Sequence, residues 1–141
     1  MLMNDLSIIV RHMRVYAERS LADTGLGFPE QLVIMCLAGS GTCNQEHIAR
    51  FLEIDKGAVA KTVAKLEAKG LVESKVNEQN RREKTLSLAP AAQPVIERMG
   101  EALAAWRERL HEGIDPDDRR IFEACAARMA QNSNELLKEV N

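Results

Sequence analysis

The chain has 141 residues, of which 45% are hydrophobic, 28% charged and 4% aromatic, and its formal net charge is −2. This size suits one domain that buries a core without disulfide or metal staples, and the composition excludes a disordered chain. No apolar stretch approaches the roughly 18 residues of a membrane span, and the N-terminus lacks the pattern of a signal peptide. Three cysteines without a C-x-x-C pair indicate reduced thiols. We therefore expect a cytoplasmic protein with no membrane partner.

Charge is distributed unevenly along the chain. Between Ile54 and Leu88 there are eight Lys/Arg and five Asp/Glu, so this segment carries +3 while the rest of the chain carries −5. A basic region on an acidic body is typical of a small nucleic-acid-binding module. A solvated helix face gives the same pattern, so charge alone leaves both interpretations open.

The first half of the chain has helical periodicity, interrupted by clear helix boundaries. A first helix is predicted over about 4–22, and Pro29 suits the start of a second, apolar helix that ends at a Gly-Ser-Gly sequence. Asn44 and Asp55 are good N-caps for a short third helix and a fourth helix, which a three-residue break separates. Gly70 suits the left-handed residue that follows a helix C-terminus.

After Gly70 the periodicity changes from helical to two. Residues 72–76 and 85–88 alternate apolar and polar side chains around a polar loop, which predicts a β-hairpin. Two further helices follow, and Pro94 predicts that the first of them starts late or bends. Two helices joined by a short turn and followed by a hairpin define a winged helix-turn-helix, here between about Asn44 and Leu88. The predicted fold class is mainly α with a small β-hairpin, in which helices flank this winged helix-turn-helix.

The predicted fourth helix has one apolar side and one basic side. Val59, Val63 and Leu66 recur at i, i+4 and i+7, which gives a stripe to bury against the third helix. Small and basic side chains on the opposite side suit the major groove, with Thr62 as the predicted base contact, and arginines at the hairpin tip suit phosphates or a minor groove. The alternatives are a solvent-exposed amphipathic helix and a plain solvated turn. The predicted DNA-binding residues are Lys56, Gly57, Ala58, Lys61, Thr62, Lys65, Arg81 and Arg82.

These residues lie in two stretches that resemble one known family. IARFLEIDKGAVAKTVAKLEAKGLVESK resembles the helix-turn-helix of the MarR family, and NEQNRREKTLSLAP resembles the wing and the entry to the next helix. The resemblance extends over the whole chain in element order. It implies a sequence-specific regulator of transcription that binds double-stranded DNA, most commonly a repressor, and that responds to an effector such as an aromatic or phenolic molecule.

The resemblance also implies an assembly. Residues 1–24 and 90–141 would form a helical dimerisation region, and residues 25–89 would form the DNA-binding region. A homodimer would then place one recognition helix of each protomer in successive major grooves of a pseudo-palindromic operator. Apolar residues near both chain ends give independent reason to expect a symmetric dimer.

Two positions depart from the family pattern. The wing usually carries Asp-x-Arg, and here the Arg matches Arg82 whereas the Asp position is Asn80. That change removes a charge partner that could orient the arginine. The usual Thr-Pro-x-Gly after the wing is Ala-Pro-Ala-Ala at 89–92, which provides a poor N-cap.

The sequence offers only a few candidate residues for binding an effector or for sensing oxidation. Arg11, His12 and Tyr16 on the first helix are candidate ligand-binding residues, although a dimer interface or a surface position is the alternative for each. Cys43 lies in a predicted loop and is the redox candidate, whereas Cys36 and Cys125 lie in apolar segments and are expected in the core.

Other functional classes have weaker support. Zinc ligands drawn from His47, His111, Glu46 and Glu112 lack the tight spacing of a known site, so neither a metal nor a cofactor is predicted. No nucleophile elbow, phosphate loop or catalytic carboxylate pair is visible, which argues against an enzyme. The acidic chain and Asn80 keep one alternative open, an antirepressor-like winged-helix protein-interaction module that has lost DNA binding.

Overall fold

A computed structural model describes residues 1–140, and its helices and strands follow the predicted order. Short 3-10 turns at Ala22–Thr24 and Pro90–Ala92 precede the second and fifth helices. The mainly α chain with one small antiparallel sheet confirms the predicted fold class. The elements are α1 (Leu2–Ser20), α2 (Phe28–Ser40), β1 (Thr42–Cys43), α3 (Gln45–Leu52), α4 (Lys56–Ala68), β2 (Val72–Val76), β3 (Lys84–Leu88), α5 (Gln93–Leu110) and α6 (Pro116–Val140).

The described residues form two compact units, which divide after Trp106. In the first unit, α2 packs against α3, α4 and the sheet, and the apolar side chains at these contacts are fully buried. Burial of one such aliphatic side chain contributes about 1.5–3 kcal/mol, so this core dominates the stability of the unit. Its fully buried members include Val33, Ile34, Leu37, Ile48, Val59, Val63, Leu66 and Leu86.

The second unit begins at Arg107 and contains α6. It has no buried side chain among its described residues, and ion pairs within the helix, such as Arg119 with Glu123 at 3.0 Å, lie on its surface. That ion pair lowers the pKa of the Glu123 carboxyl, because the Arg119 guanidinium donates a hydrogen bond to it. No helix within residues 1–140 is long and apolar enough to cross a membrane.

Local capping chemistry sets the ends of α3 and α4 as predicted. The Asn44 side chain accepts a hydrogen bond from the backbone N–H of His47, and Asp55 accepts one from the N–H of Ala58, both at 2.8 Å. Gly70 follows α4 with a φ of 71°, the left-handed conformation that glycine adopts without steric cost.

The predicted hairpin is present, and it forms part of a three-stranded sheet whose third strand the sequence does not predict. Strands β2 and β3 pair antiparallel from Val72 opposite Leu88 to Val76 opposite Lys84. Strand β1 adds to the other edge of β3, with Cys43 opposite Leu86. A two-residue strand is too short to show a period of two, so the sequence alone does not predict it.

The start of α5 confirms the effect expected of Pro94. The chain forms a 3-10 turn at Pro90–Ala92, and α5 begins only at Gln93. Pro94 therefore lies in the first turn of the helix, where its missing N–H forfeits no i→i−4 bond.

A nearly buried ion pair joins the N-terminus of α2 to the C-terminus of α4. Glu30 accepts a 2.6 Å hydrogen bond from the Gly27 N–H, and its other oxygen is 3.2 Å from Nζ of Lys69. Lys69 also donates to the Gly25 carbonyl oxygen at 2.7 Å. The Glu30 side chain is 9% exposed, and a carboxylate at such burial requires a charge partner and hydrogen bonds. Lys69 therefore has a structural role, although it contributes to the basic segment.

We expect Lys69→Met to lower the free energy of unfolding by about 1–3 kcal/mol, because it leaves the Glu30 carboxylate without its cation. The urea midpoint measured by circular dichroism checks this. Lys65→Met, at an exposed position one turn earlier on α4, is the matched control and should change stability by less than about 0.5 kcal/mol. Equal effects of the two variants would contradict the structural role.

Candidate nucleic-acid interface

The exposed side of α4 is basic. Burial of Val59 and Val63 turns the opposite side of the helix to solvent, and Lys61 and Lys65 lie there, one turn apart. Lys56 is also exposed, at the first position of the helix, with its Nζ 3.7 Å from Oε1 of Glu46. Both charges are well solvated, so this contact contributes little to stability and leaves Lys56 available to another anion.

The predicted position of Thr62 on this exposed side is wrong. Thr62 is 8% exposed, and its hydroxyl donates a hydrogen bond to the Ala58 carbonyl oxygen at 2.9 Å. The residue lies three positions after Val59, and side chains at i and i+3 share one side of a helix. The small exposed residues near the lysines are instead Ala60 and Ala64, while Gly57 is exposed and Ala58 is half-buried.

Backbone hydrogen bonds and two asparagine side chains shape the wing tip. Asn77 accepts from the N–H of Gln79 at 3.0 Å, and Asn80 accepts from the N–H of Arg82 at 3.3 Å. The Glu83 N–H closes the turn by donating to the Asn80 carbonyl oxygen at 2.9 Å. The Asn80 amide thus orders the backbone next to Arg82, without the negative charge that an aspartate would place there.

The wing arginines are exposed, and one of them lies beside the start of α4. Within residues 1–140, neither Arg81 nor Arg82 has a carboxylate at ion-pairing distance, so both guanidinium groups are free to bind another anion. A shallow groove of about 360 Å³ brings Arg82 to the same surface as Lys56. The other lining residues are Asn44, Gln45, Glu46, Glu83 and Lys84.

Two of the three predicted effector residues, His12 and Tyr16, line one groove, whereas Arg11 does not. Tyr16 lines an apolar cavity of about 100 Å³ between α1, α2 and α5, with its ring centroid 5.2 Å from that of Trp106. Tyr16 also lines, together with His12, a second, shallow groove on α1, and Arg11 is exposed and lines neither. The one polar amide at the cavity, that of Gln31, donates to two backbone carbonyl oxygens at 3.1 and 3.2 Å.

The three cysteines differ in their surroundings. Cys36 is buried as expected, Cys43 is half-buried, and Cys125 is exposed, so its predicted core position is wrong for the single chain. Burial, and after it the neighbouring Cys36, together raise the pKa of the Cys43 thiol to about 11. Because the thiolate is the reactive form, this pKa disfavours Cys43 as an oxidation sensor.

The N-cap of α4 offers a test of how this surface is positioned. We expect Asp55→Ala to lower the free energy of unfolding by about 1 kcal/mol, because the Ala58 N–H loses its acceptor. Asp55→Asn keeps an acceptor oxygen and should stay within a few tenths of a kcal/mol of the parent chain. Urea unfolding of the three proteins measures both values, and a large loss in Asp55→Asn would show that the charge, not the cap, matters.

The geometry defines a winged helix-turn-helix with a basic outer surface, and comparison with known proteins agrees. Residues 29–84 match the model of the MarR family. A crystal structure of MarR is 26% identical, with 99% of this chain and 95% of that chain covered and a TM-score of 0.86. A MarR transcriptional regulator from Methanosarcina mazei Go1 is 24% identical, with 96% and 97% covered and a TM-score of 0.88.

A third structure, that of Bordetella bronchiseptica BpsR, is 18% identical, with 92% of this chain and 93% of that chain covered and a TM-score of 0.79. The DNA binding of BpsR is regulated by 6-hydroxynicotinic acid. The chain therefore has the fold of the MarR-family transcriptional regulators, and the family match covers residues 29–84, which include most of its winged helix-turn-helix.

Proposed function

We propose that the chain acts as a homodimeric transcription regulator, in the first instance a repressor, that binds a pseudo-palindromic DNA operator through α4 and the wing. The observation that carries this proposal is the joint exposure of Lys61 and Lys65 on α4 and of Arg82 beside Lys56. The helix α4 and the wing suit different parts of a duplex. A helix fits the major groove, and an arginine at a hairpin tip suits the minor groove or the phosphates.

We assign the proposed DNA contacts to the solvent-exposed side chains of α4 and the wing. Lys56, Lys61 and Lys65 would bind phosphates, and Arg81 and Arg82 would bind the backbone or minor groove of the flanking DNA. The small exposed side chains of Ala60 and Ala64 let the helix approach base edges more closely than larger residues would. Gly57 and Ala58 remain in the proposed contact region at the N-terminus of α4, and Thr62 supports the helix from its buried side.

The proposed dimer rests on the apolar side of α6. Phe122, Met129 and Leu136 recur at intervals of seven, so they share one side of the helix, and all three are exposed. Apolar residues repeating every seven positions favour pairing with another helix. A two-fold dimer also matches the symmetry of a palindromic operator. Residues 1–24 and 90–141 remain the proposed dimerisation region.

We also propose that an aromatic or phenolic effector enters the apolar cavity at Tyr16. The cavity is smaller than the roughly 150 Å³ that holds a benzene ring in an apolar core, so a ring would need α1, α2 or α5 to shift. No charged side chain lines the cavity, which favours an uncharged ring system or one whose charge stays at the rim. BpsR, whose DNA binding is regulated by an aromatic acid, provides an analogy only at the level of fold.

A salt-dependent titration of DNA containing the chain's own promoter region tests the DNA-binding proposal. We expect affinity to fall steeply with salt, and Lys61→Ala, Lys65→Ala and Arg82→Ala each to weaken binding. Each loss of a phosphate contact should reduce the slope of log K against log salt by about 0.9. Lys61→Arg keeps the charge and should keep the slope, and Lys138→Ala is the control for loss of a lysine outside the winged helix-turn-helix. Absence of any binding at low salt would favour the protein-interaction alternative.

The dimer is tested separately by charge on α6. We expect Phe122→Glu and Leu136→Glu to shift sedimentation from dimer to monomer, because a carboxylate would be buried in the interface without a partner. Gln131 lies nine residues after Phe122, on the opposite side of the helix, so Gln131→Glu should leave the dimer intact. A parent chain that sediments as a monomer at micromolar concentration would refute the dimer.

A further inference from the structure

Three metal-binding side chains converge at a place that the proposed DNA-binding surface does not use. The Sγ atoms of Cys36 and Cys43 and a ring nitrogen of His47 all lie within 4.8 Å of one another. They come from α2, β1 and the first turn of α3 respectively. We propose that these three residues bind a zinc ion.

The fold holds each of the three ligands in position. Cys36 is buried in the core along α2, and the pairing of β1 with β3 sets Cys43 opposite Leu86. The His47 ring stacks on Phe51, with centroids 6.4 Å apart and planes 13° apart. In addition, Oγ of Ser40 is 3.3 Å from Nε2 of His47. These contacts restrict rotation of the imidazole, as outer-sphere contacts do in metal sites.

The distances suit zinc. Zinc binds cysteine sulfur at about 2.3 Å and histidine nitrogen at about 2.0–2.1 Å in a tetrahedron, so neighbouring ligand atoms are about 3.5–3.8 Å apart. Ligand atoms within 4.8 Å therefore need to approach by no more than about 1.3 Å, which small side-chain rotations supply. Three protein ligands leave the fourth position to water, and the partial exposure of Cys43 and His47 gives the ion a route in.

The charges also balance. Two cysteines bind zinc as thiolates, and their two protons pass to the solvent, whereas His47 binds as neutral imidazole. Zn²⁺ with two thiolates then has no net charge, so the ion places no uncompensated charge beside the core around Cys36. Sulfur and nitrogen ligands select zinc over magnesium or calcium, which prefer oxygen.

The sequence alone does not predict this cluster, because the spacing of its three residues is unusual for zinc ligands. The spacing Cys-x6-Cys-x3-His spans a helix end, a left-handed glycine turn at Gly41 and a strand, and it lacks the short spacing of known zinc motifs. Among the zinc ligands considered from sequence, only His47 belongs to this cluster. Its neighbour Glu46 instead forms the ion pair with Lys56.

Zinc competition under reducing, oxygen-free conditions tests the site in the full chain after treatment with a chelator. We expect one zinc per chain to be withdrawn from a chromophoric chelator and the melting temperature to rise with zinc. Cobalt, used as a spectroscopic substitute, should give thiolate-to-metal charge-transfer absorption. His47→Ala and Cys43→Ala should each weaken zinc binding by more than the 10–100-fold typical of losing an outer-sphere partner.

Two matched controls keep the test specific. Cys125→Ala removes an exposed thiol outside the cluster, and His111→Ala removes a histidine outside it, so both should bind zinc like the parent chain. If Cys43→Ala does not fold, His47→Ala decides, with its circular dichroism as the check on folding. The proposal is overturned if the reduced parent chain takes no zinc from the chelator or if cobalt gives no thiolate absorption. It is also overturned if Cys125→Ala loses binding as His47→Ala does, or if the two thiols only form a disulfide.

Discussion

The orientation of α4 depends on the burial of one apolar stripe against α2 and α3. Val59, Val63 and Leu66 are almost completely inaccessible, and each contributes about 1.5–3 kcal/mol by leaving water. Rotating the helix by one residue, or about 100°, would expose much of this stripe. No surface contact of Lys61 or Lys65 offers a comparable energy, because exposed ion pairs contribute at most about 1 kcal/mol. The core therefore decides which side chains reach the solvent, and the basic side of α4 is a consequence of it.

The same core positions the wing. Strand β3 is the central strand of the sheet, and Leu86 from its middle is buried in the cluster that also receives α2 and α4. The hairpin cannot slide along this core, because a shift of one residue would turn Leu86 to the opposite side of the sheet. The groove between Lys56 and Arg82 thus lies between α4 and the wing, and the same core holds each of these two elements in place. The ion pair of Glu30 with Lys69 adds a polar restraint at the far end of α4.

Features encoded by near neighbours were predictable, and features that depend on distant neighbours were not. The N-caps Asn44 and Asp55, the glycine after α4 and the late start of α5 each depend on a few consecutive residues, and all were predicted correctly. The predicted exposed position of Thr62 is wrong because it rests on the polarity of the side chain. The i+3 spacing of Thr62 from Val59 places it in the buried stripe. Strand β1 depends on pairing across more than 40 residues, which no local pattern records.

Helix α2 links the two regions for which a ligand is proposed. Consecutive residues on it face different surroundings, since Met35 lines the apolar cavity whereas Cys36 belongs to the thiol and imidazole cluster. A close-packed helix moves as a body, because its buried side chains interlock with their neighbours and cannot yield one at a time. An aromatic ring that widened the cavity would therefore displace the helix that holds Cys36 and against which α4 packs. A zinc ion joining α2 to β1 and α3 would resist the same displacement. The two ligands would then oppose each other through α2, without either of them touching the basic surface of α4.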